Sequence, residues 1–404
     1  MMLDECLAKL ERHVAEKDYA GFCKFDALNS PLLEKLFGFS SLTRLLAVQV
    51  INRVPLPLRS WVGIRPARNP KGIANFLRAY CKMHEVGISN LPKIRSLASW
   101  LLDNHSQLRS SFRGNGLGWG YHFPWQSPGF YAPRYFPNCI VTTFCGESLL
   151  DAYGITGDEQ YLKGAVGAKR FIMEDLPVLF EAPEKRCIGY VTGGLRWCVI
   201  NINSVAAGFI AKLAKQTGSQ SDMEAAKKMI RWTLGAQQAD GSWNYTHPKS
   251  QSGIGPDNYH TGGILDGIFD TMMASGDFSF KENYKRSLEF YKTNFFEADG
   301  APKWRMNRSY PMDIHGAAQG IITFAKASAL FPDCLSMSQR IATWAMQHMQ
   351  DPDEGFFYYQ KYKRFTWKIN LMRWNNSWMM LALSELQAAQ AASETARLNS
   401  MGAS

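Results

Sequence analysis

Two histidines occupy matched places in similar stretches: His260 in "DNYHTGG" and His315 in "MDIHGAA". The same column holds Thr142, Asn203 and Asn376, and each of the five stands one position ahead of a small residue. All five are polar where a packed helix core calls for apolar groups. Asp257, Tyr259, Arg308, Tyr310, Asp313, Arg373, Trp374 and Asn375 lie close by in sequence. Such a set suits removal of a proton beside a carboxylate. His260, His315, Tyr259 and Tyr310 are candidate bases or acids for that step. Asn203, Asn376, Arg308 and Arg373 are candidates to neutralise the charge that develops on the carboxylate. At C5 of a uronic acid this is the chemistry of lyases and C5-epimerases.

Hydrolysis of a glycosidic bond asks instead for two carboxylates, one of them kept protonated. Glu147 in "TTFCGESLLDAY", with Asp257, Asp266 and Asp313, supplies the choices. Burial among apolar neighbours would raise the pKa of Glu147, whereas a buried arginine partner would make it structural. Asp257 and Asp313 also suit helix N-caps. His260 and His315 lie outside any acid–histidine metal motif, so no metal is expected. Neither a G-x-G-x-x-G turn nor a P-loop occurs, so no cofactor is expected.

Aromatic residues crowd the stretch "GNGLGWGYHFPWQS", Gly114 to Ser127, which carries Trp119, Tyr121, His122 and Trp125. Trp197, Trp243, Tyr245, Trp304 and Trp374 sit in comparable loops. Flat rings in a concave site stack on the apolar faces of pyranoses. Their other use is to fill the small cores of the loops themselves.

The elements that carry these residues follow one rhythm from about residue 74. A small-residue helix such as "INSVAAGFIAKLAK" precedes a more amphipathic one such as "MEAAKKMIRWTL". Aligned on Thr143, Ser204, Thr261, Gly316 and Ser377, the first type recurs every 55 to 61 residues. Paired helices at a fixed period stack side by side to share a core. Six inner and five outer helices predict an all-α fold, an (α/α)6 toroid with long rim loops; a segment before residue 60 completes the outer set. The loops "QQADGSWNY", "FEADGAPKW" and "MQDPDEGFFYY" each place an acid, a glycine and aromatics after an outer helix. The expected organisation is an N-terminal helical basic segment over 1–73 packing on the toroid, the toroid over 74–392 and a flexible tail over 393–404.

The formal net charge is +10, and the excess is local. From Lys35 to Lys82 there are nine Lys or Arg residues and no acid, interleaved with "LLAVQVI" and "VPLPL". Basic and apolar residues together suit peripheral contact with an anionic membrane surface; a solvated basic face is the plainer reading. No nucleic-acid-binding motif accompanies the charge, so nucleic acid is not expected as a partner. Eight scattered cysteines read as reduced thiols. With neither a signal-like start nor 18 consecutive apolar residues, the expected location is cytoplasmic, at most peripheral to the inner membrane.

The pairing of helices with Q-x-x-D-G-S-W loops resembles α/α toroids broadly, among them carbohydrate-active hydrolases, lyases and epimerases, and also terpene cyclases and prenyltransferases. The DxDD motif and the zinc set of the last two are absent. More closely, "DYAGFCKFDALNSPL", "RNPKGIANFLRAY", "GWGYHFPWQS" and "RWNNSWMMLALSEL" together resemble a bacterial family encoded with exopolysaccharide and capsule biosynthesis genes, some members of which are called VpsJ-like. The resemblance covers nearly the whole chain. It implies a polysaccharide or a lipid-linked oligosaccharide as partner, and it brings no catalytic residue. The function expected is that of a uronate lyase or C5-epimerase type enzyme. A glycoside hydrolase and a non-catalytic glycan-binding or assembly subunit are the alternatives.

Overall fold

The computed structural model describes residues 3–402 apart from 54, 55, 89 and 195. The chain opens with α1 (Leu3–Glu16), then the short helices α2 (Pro31–Phe37), α3 (Ser41–Ile51) and α4 (Leu56–Trp61). Helices α5 (Pro70–Glu85), α6 (Leu91–Asp103) and the single turn α7 (Ser106–Arg109) follow. Then come α8 (Cys139–Thr156), α9 (Glu159–Arg170), α10 (Ile200–Thr217), α11 (Gln220–Gly235) and α12 (Asn258–Ser275). The chain ends with α13 (Lys281–Phe295), α14 (Ile314–Ala327), α15 (Cys334–Met349) and α16 (Ser377–Gly402).

Helices α5, α8, α10, α12, α14 and α16 form the inner ring: each packs on the next, and α16 returns to α5. Being enclosed on all sides, they are buried all round, as α8 shows from Cys139 to Leu150, where Glu147 is the one charged residue. The outer helices bury one stripe only. In α11 that stripe is Ala226, Met229, Ile230 and Thr233, the spacing of one helical face.

The repeated acid-glycine loops dock three rim connections onto the next outer helix. Gly241, Gly300 and Gly355 take left-handed φ values of +91°, +92° and +79°, which glycine adopts without strain. A Cβ at any of them would lie within 2.9 Å of the backbone at Arg286 of α13, Arg340 of α15 or Lys9 of α1. The third contact identifies α1 as the sixth outer helix, and the ring closes as an all-α (α/α)6 toroid. Two corrections follow. The boundary expected at 73/74 falls inside α5, because Asn69 caps that helix and Pro70 starts it. The tail expected from 393 continues α16 as helix through Gly402.

Short strands decorate the rim. β1 (Trp125–Gln126) pairs antiparallel with β2 (Tyr131–Ala132), and β3 (Val178–Ala182) with β4 (Lys185–Ile188). β5 (Met312–Asp313), β6 (Gln360–Lys361) and β7 (Thr366–Trp367) form one small sheet that ties the loops ahead of α14 and α16.

Inside the toroid, one charge from each inner helix joins a ring of alternating sign, Arg78, Glu147, Lys212, Asp270, Lys326 and Glu385, with Asp151 of α8 a further partner of Arg78 at 3.1 Å. Successive members meet at 2.9 Å (Arg78–Glu147), 2.7 Å (Glu147–Lys212), 3.0 Å (Lys212–Asp270) and 2.8 Å (Asp270–Lys326), and Glu385 lies 3.9 Å from Arg78. These residues sit two to three helical turns below the rim, at a depth of roughly 12–18 Å. The space left beside them is about 30 Å³, room for a water or two. The bore is therefore closed at this level.

Candidate active site

The polar column at the inner-helix starts has a common duty that two members abandon. Thr142 Oγ1 accepts from the Trp119 amide at 2.9 Å. Asn203 Oδ1 accepts from the Ile188 amide at 2.8 Å, and Asn376 Oδ1 from the Phe357 amide at 3.0 Å. Each holds a rim loop onto its inner helix. These bonds occupy Asn203 and Asn376 in the scaffold, which corrects their expected role at the substrate.

His260 and His315 hold no rim loop. His260 Nδ1 lies 2.6 Å from Asp257 Oδ2, while Asp257 Oδ1 accepts from the His260 amide at 3.0 Å. Asp257 thus caps α12 and orients the ring at once. A carboxylate on Nδ1 places the proton there and leaves Nε2 as the acceptor. The His260 side chain keeps 24% of its surface exposed, and its ring lies 4.8 Å from that of Tyr245 and 4.5 Å from that of Tyr259. Burial, then Asp257 and Asp313, push the Tyr259 phenol well above its ordinary pKa, so it stays protonated.

His315 sits in an aromatic box, 4.3 Å from the Trp374 ring, 4.4 Å from Trp378 and 5.0 Å from Tyr259. Its buried Nδ1 has no partner. Burial, then Lys71 and Lys24, drive its pKa well below the usual value. It is a neutral ring in the wall, which corrects its expected role as an acid or base paired with His260.

Beside this wall stand three cations. Lys71, buried, holds Nζ 4.1 Å from the centre of the Phe144 ring and 5.1 Å from that of Trp378. Burial, then Arg373, lower its pKa to about 7. Lys24 Nζ lies 3.8 Å from the Trp374 ring; burial lowers its pKa to about 8 against the pull of Asp313. The Arg373 guanidinium lies 5.0 Å over Tyr121, with Nε donating to Cys23 Sγ at 2.7 Å. Among the described residues, none of the three has a carboxylate within ion-pair distance. A buried ammonium without a counter-ion is costly and is ready to take an anion.

Half-buried aromatics complete the mouth. Trp125 meets Tyr121 at 5.3 Å and Tyr190 at 5.8 Å, and Tyr245 adjoins His260. Other expected residues serve the scaffold. Trp119 and Trp243 are buried, and their Nε1 groups donate to Leu101 O and Thr233 O, each at 2.9 Å. They fix rim loops to the ends of α6 and α11 and reach no ligand. His122 is buried at 2.9 Å from Asn69 Nδ2, its pKa pushed down to about 3 by burial and Arg373. Asp313 caps α14 and receives Trp374 Nε1 at 3.0 Å and Gln360 Nε2 at 2.9 Å, so both oxygens are taken. Trp374 is likewise buried in the wall. Arg308 is exposed on a turn with Arg305, and Tyr310 is half-buried against the core.

Glu147 belongs to the charge ring. Burial alone would raise its pKa, but Arg78 and Lys212 outweigh it and hold the carboxyl below its ordinary value. That corrects the expectation of a protonated acid there. Asp266, raised to about 6 by burial, lies below the mouth with Gln319 and Thr323.

The residues missed from the sequence are Lys71, Lys24, Trp378 and Tyr190. Lys71 carried a signal: it lies in the first turn of α5, where the helix dipole disfavours a cation.

No family model matches the chain, and no curated protein matches it. Solved structures do. Cellobiose 2-epimerase from Bacillus thermoamylovorans B4167 superposes with a TM-score of 0.60 at 12% identity, over 79% of this chain and 88% of that one. A GH76 alpha-mannanase from Bacteroides thetaiotaomicron gives 0.60 at 13% identity, over 82% and 89%. An unsaturated glucuronyl hydrolase specific for heparin gives 0.58 at 14% identity, over 82% and 88%. The likeness at such identities is one of fold: the chain is an α/α toroid of the architecture that these enzymes share.

Proposed function

We propose that the protein is a carbohydrate-active enzyme for an acidic glycan, of the uronate lyase or C5-epimerase type, serving exopolysaccharide or capsule synthesis. One observation carries the reading: the aromatic wall of Tyr259, Trp374 and Trp378 meets the His260–Asp257 pair at Tyr259 and carries three buried cations without an ion-pair partner, Lys24, Lys71 and Arg373, along the rest. A sugar carboxylate at Lys71 and Arg373 would relieve the desolvation cost of both partners. His260 Nε2 would then take the C5 proton, and the electron pair would spread into that carboxylate, whose growing charge the cations hold. In epimerisation a proton returns to C5 from the opposite face. In elimination the pair forms the C4–C5 double bond as the C4–O bond breaks, and the leaving oxygen takes a proton. Tyr259 would be the donor. The paired-carboxylate alternative loses ground because Glu147 and Asp313 are both committed elsewhere. The toroid relatives act on sugars according to their names, and the resemblance to the VpsJ-like family supplies the biosynthetic setting.

The test incubates the purified protein with a panel of acidic polysaccharides in deuterated water. Ultraviolet absorbance of unsaturated uronate marks a lyase, and deuterium at C5 without absorbance marks an epimerase. Either signal is expected to vanish in His260→Ala. Shortened chains with neither signal would replace this reading with hydrolysis. Glycan binding with no product from any member of the panel would replace it with a non-catalytic binding or assembly subunit.

A further inference from the structure

The helices α2 to α4 turn large apolar side chains outward. Leu32 and Leu36 are exposed on α2, and Phe39 follows in the turn with 77% of its surface free. On α3 the exposed residues Leu42, Leu46 and Val50 fall at intervals of four, one stripe along the helix. Its opposite side buries Val48 and Ile51 against Leu28 and Leu33. A helix apolar on both sides belongs in an interior, so the outward stripe calls for a covering. On α4, Leu58 and Trp61 are exposed, Trp61 at 78%. Eight of the large apolar residues exposed anywhere in the described chain thus fall within 30 positions, a density unlike the scattered exposure of an ordinary surface.

The charges around this face select its occupant. Lys35, Arg53 and Arg65 are exposed here, and Glu34 is the sole acid between Asp26 and Glu85. The other basic residues of the segment are committed: Arg44 to Gln126, Arg59 to Asp26, Arg68 to Asp18, Lys82 to Glu85, Arg78 to the charge ring and Lys71 to the funnel mouth. A symmetric dimer through this face would gather the exposed basic residues of both copies with Glu34 alone to offset them. An anionic bilayer offers hydrocarbon to the leucines, an interface to Trp61 and lipid headgroups to the arginines and Lys35.

We infer that α2 to α4 form a docking face for anionic phospholipid bilayers, with the α3 stripe and Trp61 entering the headgroup boundary. Among the described residues no helix is long and apolar enough to cross a membrane, so the attachment is peripheral. The face adjoins the funnel mouth: Arg44 Nε donates to Gln126 Oε1 at 2.7 Å in β1, one residue from Trp125. The inference stands whatever reaction the funnel performs.

Flotation of the full chain with vesicles tests it. With equal parts of phosphatidylcholine and phosphatidylglycerol the protein is expected to float, and with phosphatidylcholine alone to float about tenfold less. The triple change Leu42→Ser, Leu46→Ser and Trp61→Ser, all at exposed positions, is expected to reduce partitioning by at least about tenfold with an unchanged circular dichroism melt. Lys35→Glu with Arg53→Glu is expected to remove the preference for the anionic lipid. Failure to float with either vesicle, or flotation that the triple change leaves intact, would overturn the inference. So would a dimer in sedimentation velocity that the triple change abolishes while vesicles stay unbound, since the occupant would then be a second copy.

Discussion

His260 Nδ1 lies 2.6 Å from Asp257 Oδ2, whereas His315, at the same station of the next inner helix, has a buried Nδ1 with no partner. The toroid repeats its frame but not its chemistry. One histidine is oriented by a carboxylate and open to the funnel, and the other is walled in by tryptophans. Substitutions at the two should therefore separate. His260→Ala is expected to lower kcat by about 100-fold or more, the contribution of a positioned base. Asp257→Asn retains the cap, since asparagine caps as well as aspartate, yet loses the orienting charge. A large fall in kcat with an unchanged melting temperature checks this, and equal losses of both would make the pair structural.

Lys71 ties stability to pH in a known direction. Its pKa is about 7 in the fold against 10.5 for an ordinary lysine, so between those values the unfolded chain binds the extra proton. The destabilisation is complete below pH 7 and is relieved as pH rises toward 10.5. Lys71→Met is expected to stabilise the free protein by on the order of 2 kcal/mol at pH 6 and to add almost nothing above pH 10. The same change should weaken binding of acidic oligosaccharides at least about tenfold. Melts across pH together with titration calorimetry read both effects.

An acidic ligand should also draw a proton into the site. A carboxylate beside Lys71 and Lys24 favours their charged forms, so binding at pH 8 takes up protons. Calorimetry in two buffers of different ionisation enthalpy measures the uptake, which Lys71→Met should reduce. Identical enthalpies in the two buffers would place the anion away from these lysines.

The charge ring predicts acid sensitivity. The Glu147 and Asp270 carboxyls are held below their ordinary values, because their cationic neighbours outweigh burial. Their stabilisation is present above the unfolded pKa values near 4 and is lost as pH falls through the folded ones. Glu147→Gln leaves Arg78 and Lys212 each short of a partner and is expected to cost about 3–5 kcal/mol at neutral pH. Thermal melts from pH 7 to pH 3 should show a shallower decline in the variant than in the parent.

Two tryptophans of one loop should behave oppositely. Trp119→Phe gives up the bond to Leu101 O in a sealed core and is expected to cost about 1–3 kcal/mol of stability with glycan affinity kept. Trp125→Ala, at the half-buried mouth, should weaken glycan binding with little change in melting temperature.

The architecture was legible in the sequence because the repeat is written in helix periodicity and in the acid-glycine loops, whose glycines the docking of α13, α15 and α1 requires. The column containing His260 was legible for the same reason. The site was legible only in part. Periodicity marks which residues face inward, but not whether an inward polar group meets a ligand or a backbone amide; Asn203 and Asn376 turned on that difference. Glu147 looked solitary because its partners lie 69 and 65 residues away. Lys71 and Lys24 were hidden within a basic segment whose members the fold sends to several different places.

The alternating charges of the six inner helices also turn the toroid from a pipe into a cup. A polymer cannot thread through it, so a long chain must offer an end or bend a single residue down into the mouth. Whatever enters leaves by the same rim, and successive turnovers on one strand require the strand to lift and settle again. If the proposed reaction takes place there, it would thus be distributive, one sugar at a visit.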